Sequence, residues 1–427
     1  MTARIADPRL LKYLQEWFAP DKLANLLSAL SRPPLRTTVR VVGTRSPASV
    51  LQELSALVPP EFSPTMHPLL SHCLVVPMFD RSASVRPSAP AVVVDRACGL
   101  AVLRGADVFA AGVLGMAANL TRGERVSVWA DLLNRTRRGT TLRGAAALSD
   151  SGTDFKFVGN GVLEQSKAAI AGAAAQGLAV RMDEPIFHSA ALNGVLSESL
   201  FLQNEESFVA ALALDPQPGE RVLDMCAAPG GKTCRIGDLM QHTGTLIAVD
   251  RSAPKIAKLM ATADRFRCNV RVVLADACRL EVGSEHVCAR TGERVTMDLF
   301  DRILVDAPCS GLGQRPRAVI EQSLAELLPF AAQQRRILQR ACRLLKPGGR
   351  LVFSTCTFMP SENEQNVEFI LRDQPSMRLI AALPKLGGDG IRSSELSFDS
   401  TLVQRFDPGA GRDGIGFFVA CFEKVKG

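Results

Sequence analysis

Two cysteines and one carboxylate stand just after apolar, strand-like runs in the second half of the chain. Asp306 and Cys309 belong to the segment DAPCSG, and Cys356 belongs to the segment STCT. A thiolate is a strong nucleophile and a carboxyl group can carry a proton, so these three side chains could together perform covalent catalysis. A free cysteine ionises at about pH 8.5, and a reactive cysteine therefore needs neighbours that lower its pKa.

The commoner use of a cysteine is as a small, buried, hydrophobic side chain. To that use we assign Cys234, Cys268, Cys278, Cys288, Cys342 and Cys421. The chain has 11 cysteines, an odd number, and no C-x-x-C pair, which argues against a disulfide scaffold. Its five histidines do not fall at ligand spacing, so we expect no metal site.

A second candidate site is the segment RVLDMCAAPGGKT, residues 221–233. An apolar run followed by Pro229, Gly230 and Gly231 predicts a strand, a tight turn and a helix, and the first N–H groups of that helix could bind an anionic or zwitterionic ligand. The ending GGKT is like that of a phosphate-binding P-loop. The P-loop pattern needs glycine six residues before the lysine, however, and Cys226 occupies that position. The segment therefore predicts either a small-cofactor site or a turn without a ligand.

The elements that must position these residues alternate along residues 195–427. Strand-like runs (VLDM, TLIAVD, VRVVLAD, DRILVDAP and RLVFSTC) are separated by helical stretches such as residues 325–345. This order predicts an α/β fold with a parallel, doubly wound sheet, in which ligands bind beyond the carboxyl ends of the strands. The runs end in Asp224, Asp250, Asp276, Asp306 and Cys356. One or two of the carboxylates could instead be helix N-caps.

Two smaller regions precede that sheet. Residues 1–90 predict a small α+β region with helices at 10–18, 23–30 and 51–57 and a strand at 37–42, and residues 80–90 predict a linker. Residues 91–183 predict short strands and hence a small all-β barrel inserted before the catalytic region. The basic cluster Arg135, Arg137, Arg138 and Arg143 could contact phosphates or serve solubility alone.

Composition narrows the class of protein. At 427 residues with 47% hydrophobic residues, the chain has material for two or three buried cores. A net charge of +7 favours a polyanionic partner. We see no signal peptide and no membrane span, so we expect no membrane partner. The expected location is a reducing compartment, the cytoplasm or alternatively the nucleus.

Three motifs carry a resemblance to a known family. DMCAAPGGKT, DAPCSG and STCT, in this order, resemble the Nol/Nop/Sun-type RNA 5-methylcytosine methyltransferases, and the similarity covers residues 195–427. LRGADVFAAGV at 103–113 and VGNGV at 158–162 resemble a PUA domain, a β-barrel that binds structured RNA. A PUA domain ahead of the catalytic domain is similar to the branch that acts on the acceptor end of certain tRNAs.

The resemblance implies S-adenosylmethionine as cofactor, a Rossmann-like methyltransferase sheet and roles for individual residues. Cys356 would add to C6 of cytosine, which activates C5; Asp306, when protonated, would donate a hydrogen bond at N3; and Cys309 would help release the product. Asp250 would bind the ribose and Asp276 would lie by the adenine. The remaining implied cofactor residues are Cys226, Ala227, Ala228, Pro229, Gly230, Gly231, Lys232 and Asp306 itself.

Three functions remain possible at this stage. The first is methylation of tRNA by a monomeric enzyme. The second is the same chemistry on ribosomal or messenger RNA. The third is a non-catalytic RNA-binding factor that retains the fold, although such a factor needs neither Cys309 nor Cys356.

Overall fold

The computed structural model describes residues 2–43, 45–88, 90–142, 148, 154–171, 176–411 and 413–426. Its largest sheet is the doubly wound one. In spatial order the strands are Arg271–Leu274, Thr245–Asp250, Arg221–Asp224, Phe300–Asp306, Leu345–Thr355, Phe417–Lys424 and Met377–Ile380, with Gln404–Phe406 also paired to Phe417–Lys424. The first five strands are parallel, as expected, but the last three pair antiparallel, which the expectation of a parallel sheet missed.

Both faces of this sheet are buried, which explains the uninterrupted apolar strands. Leu223, Ile303 and Leu351 face one core with the helices Leu324–Leu344 and Glu364–Asp373. Val222 and Leu304 face the other core. The helices on that second face are Glu205–Leu214, Gly231–Leu239 and Ala253–Arg265. The helix expected at 325–345 is therefore found almost unchanged.

The N-terminal region has the expected helices, Pro8–Trp17, Pro20–Leu30 and Pro47–Leu57, and the expected strand, Arg36–Val41. Its sheet runs in the order Phe187–Ser189, Cys73–Asp80, Arg36–Val41 and Leu200–Leu202, with Thr65–Met66 on Cys73–Asp80. Two of these strands come from beyond residue 185, so the region 91–185 is inserted into this sheet. The strand Leu200–Leu202 lies here, although residues from 195 onward were expected to form the catalytic region.

The described residues between 91 and 185 include a seven-stranded sheet. Its spatial order is Val108–Phe109, Leu178–Pro185, Phe155–Leu163, Arg125–Asp131, Ala91–Asp95, Val113–Ala117 and Thr140–Leu142. The all-β expectation is wrong for the helix Arg96–Val102, whereas the helix Lys167–Ala171 falls in an alanine-rich stretch, 168–175, whose composition is helix-prone. Asp95 accepts a hydrogen bond from the Cys98 N–H at 2.7 Å and caps the first of these helices. Gly99 lets that helix approach the sheet, since a Cβ there would lie 2.2 Å from the Cβ of Ala130.

The start of the chain packs against the catalytic region. Strand Arg4–Ile5 pairs with Val319–Ile320, and Leu14 and Phe18 share a core with Phe358 and Met359, close to Cys356 in sequence. The N-terminal helices therefore support the segment that carries the second candidate thiol. Within the described ranges, no helix combines the length and the apolar character that a bilayer crossing requires.

Candidate active site

The predicted thiols meet at the carboxyl edge of two neighbouring parallel strands. Asp306 ends Phe300–Asp306 and lies in register with Ser354 of Leu345–Thr355. Cys309 follows the first strand and Cys356 follows the second, and their Sγ atoms are 3.3 Å apart. The register of the two strands thus brings together residues that are 47 positions apart in sequence.

The two thiols are electrostatically unequal. The thiol of Cys309 donates a hydrogen bond that lowers the pKa of Cys356 to about 7, against the opposing effect of burial. The Gln314 side chain and the Lys232 ammonium also favour the Cys356 thiolate. The same sulfur–sulfur hydrogen bond and burial raise the pKa of Cys309, and the charge of Glu362 acts in the same direction. Of the two thiols, Cys356 is therefore the one whose surroundings favour the thiolate form.

Asp306 stands between the strand edge and the glycine-rich loop. Its Oδ2 accepts from the Lys232 ammonium at 2.8 Å, and its Oδ1 accepts from the Ser354 hydroxyl at 2.7 Å. Burial opposes the charge on Lys232, but the Asp306 carboxylate outweighs burial and raises the pKa of Lys232. The Lys232 ammonium also lies 5.3 Å from the centre of the Phe417 ring. The Lys232–Asp306 ion pair thus lies at the same edge of the sheet as the two thiols.

The predicted cofactor loop, residues 226–232, connects strand Arg221–Asp224 to helix Gly231–Leu239, whose N-terminus it presents to the edge. Gly230 has φ +105°, a conformation that favours glycine, and a Cβ there would lie 2.9 Å from Leu259 Cδ1. A Cβ on Gly231 would lie 2.7 Å from the Phe201 ring of the N-terminal sheet. Ala227 is fixed by its N–H, which donates to the Val249 carbonyl at 2.9 Å. Burial raises the pKa of the Cys226 thiol, which remains a thiol.

The carboxylates at the ends of the other strands divide into two groups. Asp250 and Asp276 each accept a backbone N–H two residues further on, at 3.0 and 2.9 Å, so both cap turns. Each does so through Oδ1, and Oδ2 of Asp276 lies 3.9 Å from Arg279 Nε. Asp224 is buried, which raises its pKa to about 7, and its Oδ2 accepts from Thr233 at 2.7 Å. Its Oδ1 has no partner among the described residues.

This donor set fits a small zwitterionic nucleoside cofactor. A helix N-terminus and a glycine turn would hold the charged end, and the Asp250 carboxylate would accept hydrogen bonds from ribose hydroxyls. The orphan oxygen of Asp224 is a buried acceptor close to the same loop. Within the described ranges, no group of three or more histidine, cysteine, aspartate or glutamate side chains could hold a metal ion.

Sequence reasoning missed several residues of this site. Ser354 could have been found, because it precedes Cys356 by two positions and so lies on the same side of the strand. Phe201, Gln334 and Glu362 reach the site through packing between distant segments and carry no local signal. Arg143 of the predicted basic cluster lies outside the described residues.

The chain is similar to known proteins over nearly its whole length. A profile of the family described as 16S rRNA methyltransferase RsmB/F matches residues 211–423. The tRNA (cytosine(72)-C(5))-methyltransferase NSUN6 of Mus musculus is 36% identical over 441 residues, which cover 96% of this chain and 91% of the mouse protein. NSUN6 of Homo sapiens is 34% identical and covers 98% and 97% of the two chains. The crystal structure of NSun6 from Pyrococcus horikoshii with SFG has a TM-score of 0.81 at 28% identity, and 98% of each chain is covered.

Proposed function

We propose that this chain, which belongs to the Nol/Nop/Sun family of RNA 5-methylcytosine methyltransferases, transfers a methyl group from S-adenosylmethionine to C5 of a cytosine in tRNA. The observation that carries the proposal is the thiol pair, 3.3 Å apart, beside the Asp306–Lys232 pair and the glycine-rich loop. A binding module has no use for two thiols of unequal pKa at the mouth of a cofactor site.

Each residue of the edge has a separate task in this reaction. Cytosine C5 is a weak nucleophile, so the Cys356 thiolate first adds to C6 and converts C5 into an enamine carbon. Negative charge then develops toward N3, where Asp306, when protonated, donates a hydrogen bond, and the Lys232 ammonium 2.8 Å from its Oδ2 adds positive charge beside the base. After methyl transfer a proton leaves C5 and Cys356 is expelled, with Cys309 assisting that release.

S-adenosylmethionine supplies the electrophilic methyl group. Residues 226–232 would surround its methionine end and sugar, Asp250 would bind the ribose, and Asp276 would lie by the adenine. The Pyrococcus horikoshii structure contains SFG, an analogue of this cofactor, which supports the assignment. Asp306 would contribute to the cofactor site as well as to the chemistry at the base.

The seven-stranded region 91–185 is proposed to be a PUA-type module that positions the RNA. Its motifs LRGADVFAAGV and VGNGV lie in this region, and the exposed Arg137 side chain lies on the loop between Arg125–Asp131 and Thr140–Leu142. The target base must leave its helical stack or lie in an unpaired end, because the thiol attacks the face of the ring. This requirement favours the acceptor end of a tRNA. Ribosomal RNA is the second candidate, since the matching family profile is described by that substrate.

Methylation assays with labelled S-adenosylmethionine and tRNA transcripts test the proposal. The wild-type protein should label the RNA, and Cys356→Ala should reduce the rate to below about a thousandth, because the nucleophile is lost. Cys309→Ala should instead accumulate a protein–RNA complex that survives denaturing electrophoresis. Cys98→Ala, a thiol of the seven-stranded region, serves as control and should behave as wild type.

Two outcomes would contradict this assignment. Label in ribosomal RNA but not in tRNA would transfer the proposal to the second substrate. Absence of label in both RNAs would favour the non-catalytic RNA-binding factor. Bisulfite sequencing of the labelled RNA identifies the cytosine.

A further inference from the structure

A buried amide–carboxyl pair, Gln334 and Glu362, lies directly behind the Cys309 segment. Both side chains are fully buried, at 0% exposure. Gln334 Nε2 donates to the Pro308 carbonyl and to Glu362 Oε2, each at 2.9 Å. The Ser310 N–H donates to the same Oε2 at 2.9 Å. The pair therefore holds the backbone on both sides of Cys309.

The two oxygens of Glu362 differ in their surroundings. Its Oε1 is buried and has no hydrogen-bond partner at normal geometry among the described residues, although the hydroxyl groups of Ser310 and Thr357 act on the carboxyl group. A buried carboxylate oxygen without a donor is costly, and a proton on it removes that cost. Burial accordingly raises the pKa of Glu362, against the hydrogen bonds from Ser310 and Gln334. A carboxyl group that is bonded through Oε2 to the residue next to Cys309, and whose Oε1 lacks a regular donor, suits a group that receives a proton.

We propose that Glu362 is the positioning residue that accepts the proton of Cys309 during product release, an inference that rests on the methyl transfer proposed above. Before the reaction, the two Sγ atoms share a hydrogen bond of 3.3 Å, in which Cys309, the thiol of higher pKa, is the donor. Once Cys356 is bonded to C6, its sulfur is a thioether and only a weak acceptor. Glu362 is the carboxylate whose charge acts on Cys309.

The protons and electron pairs of the release step can be accounted for with Cys356, Cys309 and Glu362 alone. The C5–H bond breaks, its electron pair forms the C5=C6 double bond, and the C6–S bond breaks to return Cys356 as a thiolate. The proton from C5 binds Sγ of Cys309, whose own proton passes to Oε1 of Glu362. One proton is released overall, and it leaves from Glu362 to solvent when the product departs.

Glu362→Gln tests this role, because glutamine can still accept the Ser310 hydrogen bond but cannot take the proton. In single-turnover assays with labelled S-adenosylmethionine and tRNA, methyl transfer should stay within a few-fold of wild type. Under multiple turnover, kcat should fall about 100-fold with KM little changed, and a covalent protein–RNA complex should accumulate. With RNA that contains 5-deuterated cytosine, the variant should show a primary isotope effect on kcat, since proton removal from C5 now limits the rate.

Glu368→Gln is the matched control, because it removes a carboxylate from the next helix that contacts Ser397 and Arg372 instead of the Cys309 segment. It should turn over as wild type. Glu362→Asp keeps the carboxylate but moves it back by one methylene group. Its turnover rate and its amount of covalent complex should lie between those of wild type and Glu362→Gln. This variant replaces Glu362→Gln in the test if the glutamine variant does not fold.

Turnover of Glu362→Gln at the wild-type rate would overturn this role and leave the proposed function intact. Equal losses in single and multiple turnover, without covalent complex or isotope effect, would also overturn it, because they indicate a structural defect. Absence of methylation by the wild-type protein would overturn the proposed function itself.

Discussion

The active edge of the doubly wound sheet and the seven-stranded region differ in how they carry charge. Behind the edge, a group of charged side chains is buried and paired around Arg405, which donates to the Phe358 carbonyl two residues beyond Cys356. Arg405, 2% exposed, contacts both oxygens of Glu364 at 2.8 and 2.9 Å and Asp407 at 2.8 Å. In the seven-stranded region the ion pairs lie on the surface. Arg125, 47% exposed, pairs with Asp183 at 2.6 Å and Glu184 at 2.8 Å.

This difference in the burial of charges suits the two regions to different tasks. Buried charges are fixed by their partners and tune neighbouring groups strongly, because little water screens them. Surface charges are screened and held weakly, so they remain available to a polyanionic partner. The edge is therefore suited to catalysis and the seven-stranded region to binding.

The largest expected effect is on stability. Arg405→Met should lower the free energy of unfolding by about 3–5 kcal/mol, because Glu364 and Asp407 lose their buried cation. Arg125→Ala should cost no more than about 1 kcal/mol, since both of its partners are solvated. Urea denaturation followed by circular dichroism measures both values. Similar losses for the two variants would remove the distinction between buried and surface charges.

The next effect concerns the reactivity of thiols. Cys356 should react with iodoacetamide along a curve with its midpoint at about pH 7, because hydrogen bonding from Cys309 lowers its pKa. Its reactivity is lost as pH falls through that value. Cys309→Ala removes the donor and should move the midpoint upward. Mass spectrometry of peptides labelled at a series of pH values measures these curves.

Cys98 of the seven-stranded region is the internal control in the same samples. Burial raises its pKa to about 11, so it should remain unlabelled below pH 9. Equal labelling of Cys98 and Cys356 at pH 7.5 would show that the edge does not activate its thiol. An unchanged midpoint in Cys309→Ala would assign the activation to Lys232 and Gln314 instead.

The sequence predicted the residues at the active edge of the sheet better than the residues that hold them in place. Apolar strand runs that end in Asp306 and Cys356 were enough to predict a doubly wound sheet and the meeting of the two motifs, since the carboxyl ends of parallel strands share one edge. The structural match confirms the Rossmann-like methyltransferase sheet. Gln334 and Glu362 could not be predicted, because they contact the Cys309 segment from 26 and 52 positions away through helix packing.

Errors in the prediction have local physical causes. The sequence pattern favours strand near Arg96–Val102, because Val102 and the small residues before it suit either structure; the cap by Asp95 and the close contact of Gly99 with Ala130 fit a helix instead. The antiparallel strand Phe417–Lys424 was missed because no crossover helix leads to it. Such choices depend on tertiary packing, which a local pattern does not contain.

The smallest effect separates two neighbouring arginines of the predicted basic cluster. Buried Asp131 accepts the N–H groups of Leu133 and Thr136 at 3.1 and 2.6 Å and so shapes the loop that carries them. Arg138 donates to the carbonyl groups of Ala110 and Ala111, whereas the Arg137 side chain makes no hydrogen bond or ion pair within the described ranges. Arg138 thus supports the module itself, and Arg137 is available to RNA.

Arg137→Ala should weaken tRNA binding a few-fold at physiological salt and reduce the slope of log affinity against log salt by about one unit, because one phosphate contact is lost. Its melting temperature should be unchanged. Arg138→Ala should instead lower the melting temperature, since two carbonyl groups lose their donor. Filter binding at several salt concentrations, with thermal melting of the same samples, distinguishes the two. A stability loss in Arg137→Ala, or an unchanged salt slope, would mean that surface charge here serves solubility and that the RNA contacts lie elsewhere.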